Sequence, residues 1–155
     1  MKKILAKHNI RVPKNTNFNF DKAINNPVDY FRELSNQLGE IFVMKPRSHA
    51  SSFGVFIIKN LAEFKFITNK VSGFSILYEA EEYIEGILFH CDSLLNHGEV
   101  KFIEACQTSY PQLEFISGKN ILSLALKSGD PLRRNIIDFT KKCLDRKSTR
   151  LNSSH

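Results

Sequence analysis

The chain has 155 residues, 42% of them hydrophobic, with 22 Lys+Arg against 16 Asp+Glu and a formal net charge of +6. That length fits one domain, or a portion of something larger. The apolar share supports a buried core, Phe-rich because there are 13 Phe and no Trp, and excludes intrinsic disorder, a collagen-like fibre and a disulfide-stapled miniprotein.

In chain order, Lys2 to Lys7 reads as the end of a helix, with Asn9 as its stop before an extended Ile10-Arg11-Val12-Pro13. The polar stretch Asn15 to Asn26 reads as loop. Asn26-Pro27 opens a helix with proline at its first position; Tyr30, Leu34 and Leu38 share one face and Gly39 ends it. Ile41 to Lys45 is a short apolar run suited to a buried strand. A turn-rich loop from Pro46 to Phe53 leads to a second strand, Gly54 to Ile58, and Asn60 caps a helix from Leu61 to about Asn69. Ser75 to Ala80 and Ile87 to Leu95 are further strands. Asn96-His97-Gly98 turns the second of these into Val100 to Cys106. Asp130-Pro131 opens a last helix, expected to end near Leu144. The order is mixed α+β, with hairpins in place of regular βαβ alternation.

Residues 145–155, Asp-Arg-Lys-Ser-Thr-Arg-Leu-Asn-Ser-Ser-His, carry one apolar residue and no periodicity. They resemble the translation of a sequencing-library adapter and are read as a disordered, non-native tail. Without their three basic residues and one acidic residue, residues 1–144 hold 19 basic against 15 acidic, an ordinary balance. Basic residues are scattered and not gathered on a face, so no nucleic-acid partner is expected. No apolar run reaches the roughly 18–20 residues that span a bilayer, and the apolar stretch near Met1 is too short for a secretory signal. A cytoplasmic protein with no membrane partner is expected. Cys91, Cys106 and Cys143 form no Cys-x-x-Cys pair and have no His-x-x-x-His partner, so they read as reduced thiols and no metal site is assigned.

Two stretches carry chemistry. In Val43-Met44-Lys45-Pro46-Arg47-Ser48-His49-Ala50-Ser51-Ser52-Phe53-Gly54-Val55, a lysine at a strand end precedes a loop of small residues that returns into a strand. The lysine can supply a point charge to phosphates, and the loop can supply N–H groups and hydroxyls over them. By itself the stretch reads first as a solvated lysine beside an ordinary β-hairpin, and it is not a Walker loop. In Leu77 to Gly86, followed by Phe89-His90-Cys91-Asp92, an acidic extended segment between strands could offer main-chain atoms to an adenine edge. An acidic edge strand is the alternative.

Together and in this order the motifs resemble the ATP-grasp superfamily across residues 1–144. Ile10-Arg11-Val12-Pro13 is similar to its G-I-x-V-P segment, with Asn9 in the glycine's place. Val43-Met44-Lys45-Pro46 is similar to its V-K-P strand, and Ser52-Phe53-Gly54-Val55 to the end of its mobile loop. Glu81-Glu82-Tyr83-Ile84-Glu85-Gly86 matches its hinge, and His90-Cys91-Asp92 with Gly98-Glu99-Val100 matches a form common in carboxylate–amine ligases like carnosine synthase.

The resemblance implies an incomplete ATP-grasp fold, α+β in two lobes with mixed or antiparallel sheets. The implied activity makes an acyl phosphate from a carboxylate and ATP, with Mg2+, and passes the acyl group to an amine. Lys45 would bind phosphates and Ser51, Ser52 and Gly54 would cover them. Main-chain atoms of Glu81 and Ile84, with Glu82, would hold adenine. The usual ribose glutamate is replaced by Leu88; Asp92 would stand in for it, or is a solvated strand residue. Arg47 reads as a surface residue and His90 as structural. The family's upstream lysine and its downstream magnesium-binding carboxylates do not occur in residues 1–144, so a truncated, inactive product is expected. Alternatives are a member like biotin carboxylase or D-alanine–D-alanine ligase, or a non-catalytic ATP-binding or interaction module.

Overall fold

The computed structural model describes residues 2–48, 52–73, 76–111 and 118–151, with side chains described as far as residue 145. They divide into two compact units, one of Pro13–Glu85 and one of Met1–Val12 with Gly86–His155. The boundary between Glu85 and Gly86 falls inside the stretch read from sequence as a hinge.

The Pro13–Glu85 unit holds β1 (Asn15–Asn17), α2 (Phe20–Asn25), α3 (Pro27–Leu38), β2 (Phe42–Pro46), β3 (Phe56–Ile58), α4 (Leu61–Val71) and β4 (Tyr78–Glu82), numbered after α1 (Lys2–Lys7) of the other unit. Its sheet runs β1-β4-β2-β3, antiparallel throughout. Phe42, Met44, Tyr78 and Ala80 alternate onto one face, where they meet Tyr30, Leu34 and Leu38 of α3 and Phe64 and Val71 of α4. Phe64 is fully buried, with its ring 5.6 Å from Phe31, 6.0 Å from Phe18 and 6.3 Å from both Tyr30 and Phe42. The Phe-rich core expected from composition is this cluster.

Helix starts follow local chemistry. The Asn60 side chain accepts the Glu63 N–H at 2.9 Å, while Glu63 Oε2 accepts the N–H of Lys59, the residue before the cap, at 2.9 Å, so the helix start and the chain entering it are both tied down. Pro27 sits in the first turn of α3. The stretch 15–26 differs from the loop expected: it contains β1 and α2, the latter capped by Asn19 accepting from the Lys22 N–H. Phe18, Phe20 and Ala23, spread among asparagines, supply enough apolar contact to dock both elements on the core.

In the other unit β5 (Phe89–Asn96), β6 (Glu99–Thr108) and β7 (Ser123–Ala125) form an antiparallel sheet in that order, and α5 (Pro131–Leu151) packs on β5 and β6. The β5–β6 turn has His97 at φ 48° and Gly98 at φ 81°, the paired left-handed geometry of a tight hairpin. The unit's buried residues include Ala105, Cys106 and Ile137. Two differences from expectation stand out. β7 was not read from the sequence, and α5 continues to Leu151, seven residues beyond the expected end and into the segment read as a disordered tail. Residues 145–151 contain no glycine or proline, so a helix already nucleated upstream can add one hydrogen bond per residue through them.

Candidate functional site

The sheet of the Pro13–Glu85 unit has a face opposite its core, and the register decides what stands there. Lys45 pairs with Glu79 and Val43 with Glu81, so all four side chains project to that face. The Lys45 ammonium leans along the strand to the diagonal position, with Nζ 2.7 Å from Glu81 Oε2 and 3.9 Å from Glu79 Oε1. Glu81 is buried, at 8% exposure, and the Lys45 side chain keeps 29%. Among the described residues, one ammonium stands between two carboxylates here. Such a patch fixes the lysine's direction and also presents a carboxylate that can accept from an amino group.

The two stretches singled out in the sequence therefore meet here. Glu79 was missed, although a glutamate two residues before Glu81 on a strand facing Lys45 is the period-two signal for it. The main chain of Glu81 lies within the sheet, with Asn15 on one side and Val43 on the other. This differs from the expected main-chain contact with a base: what Glu81 can present outward is its carboxylate. Glu82 alternates to the opposite face. Its N–H donates to Lys14 O at 2.9 Å and its Oε2 accepts the Lys14 N–H at 3.0 Å, so it is bound up in holding the chain before β1. Ile84 lies beyond the end of β4 and is exposed.

Ser52 and Gly54 occupy a turn before β3, both with left-handed backbone, φ 57° and 68°. Gly54 is required on two counts: its φ disfavours a side chain, and a Cβ there would stand 2.8 Å from Tyr78 Oη and 3.1 Å from Pro46 Cγ. Gly54 is thus seated against the residue that follows Lys45, which ties the loop to the site. Ser51 lies outside the described residues. The Arg47 N–H donates to Leu77 O at 2.8 Å and its side chain is exposed.

Asp92 belongs to the other unit, on β5. Its nearest described ionisable partner is His90, with Nε2 3.4 Å from Asp92 Oδ2, and His90 Nε2 also lies 3.0 Å from Ser123 Oγ. On the same sheet Arg133 of α5 binds Glu104 through two contacts of 2.8 and 3.0 Å, and its guanidinium lowers the Glu104 pKa. Among the described residues no helix is long and apolar enough to cross a membrane.

No protein-family profile matches the chain. It is 28% identical over 111 residues to an L-arginine-specific L-amino acid ligase of Bacillus subtilis, which covers 68% of this chain and 27% of that protein. Its fold matches the crystal structure of D-alanine–D-alanine ligase from Bacillus anthracis with a TM-score of 0.66 and 22% identity, over 94% of this chain and 46% of that one. The chain thus spans about a quarter of the curated relative and just under half of the solved structure.

Proposed function

We propose that this chain, whose fold matches part of a D-alanine–D-alanine ligase, is the ATP-binding region of an ATP-grasp ligase that joins a small-molecule carboxylate to an amine. The observation that carries this reading is the Lys45–Glu81 contact of 2.7 Å between the two sequence stretches with nucleotide-site character. Lys45 holds ATP phosphates by charge, its direction set by Glu81 and Glu79. The Glu81 carboxylate accepts from the adenine amino group, and main-chain atoms at Ile84, free of the sheet ladder, read the ring. Ser51, Ser52 and Gly54 close over the phosphates. Glu82 supports the strand from behind.

Chemically, a carboxylate oxygen attacks the terminal phosphorus of ATP, giving an acyl phosphate and ADP. The amine then attacks the acyl carbon and phosphate leaves. Little covalent work falls to the protein in phosphoryl transfer; positioning and charge neutralisation dominate. Magnesium, which the fold family uses, takes oxygen ligands. The described residues do not fit it here: Glu79 and Glu81 face the Lys45 ammonium, which repels a cation, and no step is assigned to a metal on this chain.

The test is ATP turnover by a protein that contains this chain. Phosphate release should require a carboxylic acid, an amine and magnesium. A carboxylate labelled with heavy oxygen should deliver one labelled oxygen to the phosphate. ATP turnover without that transfer would refute the acyl-phosphate route, and no turnover with any acid–amine pair would favour a non-catalytic ATP-binding module.

A further inference from the structure

Beyond the ATP reading, and independent of it, we propose that His90, Asp92 and Cys106 form a site for a zinc-class divalent cation. Each offers one donor atom, and these atoms all lie within 4.8 Å of one another. The hairpin register builds the cluster: His90 stands directly opposite Cys106, and Asp92 is two residues along β5 on the same face. Tetrahedral zinc with ligands at about 2.0–2.3 Å sets its donors roughly 3.3–3.8 Å apart. His90 Nε2 and Asp92 Oδ2 are already at 3.4 Å, so small side-chain adjustments close the site.

The neighbours select these three donors. Glu104, directly opposite Asp92, is held by Arg133 at 2.8 and 3.0 Å, which leaves Asp92 and the Cys106 thiolate to balance a dication. Ser123 Oγ, 3.0 Å from His90 Nε2, places a neutral oxygen beside the cation position, and its contact with that nitrogen gives way when the ion binds. Cys106 is buried on the central strand while the Asp92 side chain is 72% exposed, so a bound ion would have one dry side and one side open to water or a small ligand. Thiolate and imidazole favour zinc or cobalt over magnesium. Ligand spacing along the chain hid this site, because its geometry comes from strand pairing and not from a Cys-x-x-Cys turn.

The test is a titration of Co2+ alone into the reduced 155-residue chain, followed by absorption. One equivalent should produce a cobalt–thiolate charge-transfer band that Zn2+ displaces. Cys106→Ser should abolish the band, while Cys91→Ser and Cys143→Ser retain it. Because Cys106→Ser could unfold a buried position, His90→Gln and Asp92→Asn provide the second arm: each should weaken Co2+ binding at least about tenfold, with circular dichroism unchanged. A folded, reduced chain without the band would overturn the proposal. So would a band that follows Cys91 or Cys143, or affinity unchanged in both His90→Gln and Asp92→Asn.

Discussion

Lys45 and Glu81 should behave energetically as one unit. The ammonium and carboxylate are 2.7 Å apart, which at an effective dielectric near 20 corresponds to a gross attraction of about 6 kcal/mol. Desolvating two largely covered ions consumes most of that, and the lysine's residual exposure of 29% screens more of it. The net coupling expected is about 1–3 kcal/mol, above the roughly 0.3–0.5 kcal/mol scatter of independent sites. The assay is a double-mutant cycle with Lys45→Met, Glu81→Gln and the pair, by urea unfolding. Lys45→Met should cost more than Glu81→Gln, because it leaves Glu79 and Glu81 facing each other without the intervening positive charge. Additivity within scatter would refute the view that the site is a preorganised pair.

Gly54→Ala should destabilise by about 1–3 kcal/mol, since a left-handed backbone and a contact of 3.1 Å to Pro46 Cγ both oppose a methyl group; chemical denaturation measures it. Phe64→Ala should cost about 3–5 kcal/mol, because its ring touches four others in the core, and a change within about 0.5 kcal/mol would contradict that packing. The depressed Glu104 pKa in the folded state means that its stabilisation is complete above the ordinary carboxylate value and is lost as pH falls through the folded value. Arg133→Met should therefore reduce stability at neutral pH and flatten its fall on acidification below about pH 4, read from urea midpoints across that range.

Much of the fold was legible because the signals were local. Pro27 with the Tyr30, Leu34 and Leu38 stripe, the Asn60 cap and the His97-Gly98 turn each act within a few residues, and each appears where expected. The missed elements depend on distant partners. β1 is three polar residues that form a strand because β4 lies beside it, and β7 likewise exists through β6. The same division holds for the candidate site. Lys45 and the Glu81 stretch were visible as motifs, whereas Glu79 became visible only once the β2–β4 register placed it opposite Lys45. The His90–Cys106 juxtaposition is likewise a property of a register spanning 16 residues, which composition and spacing do not encode.

The most direct measurement compares ATP with adenosine in calorimetric titrations of the chain and its Lys45→Met and Glu81→Gln variants. ATP should bind, Lys45→Met should weaken ATP at least about tenfold and adenosine far less, and Glu81→Gln should weaken both comparably. Absence of ATP binding by the folded chain, or Lys45→Met weakening ATP and adenosine alike, would contradict the assignment of phosphates to Lys45 and adenine to Glu81.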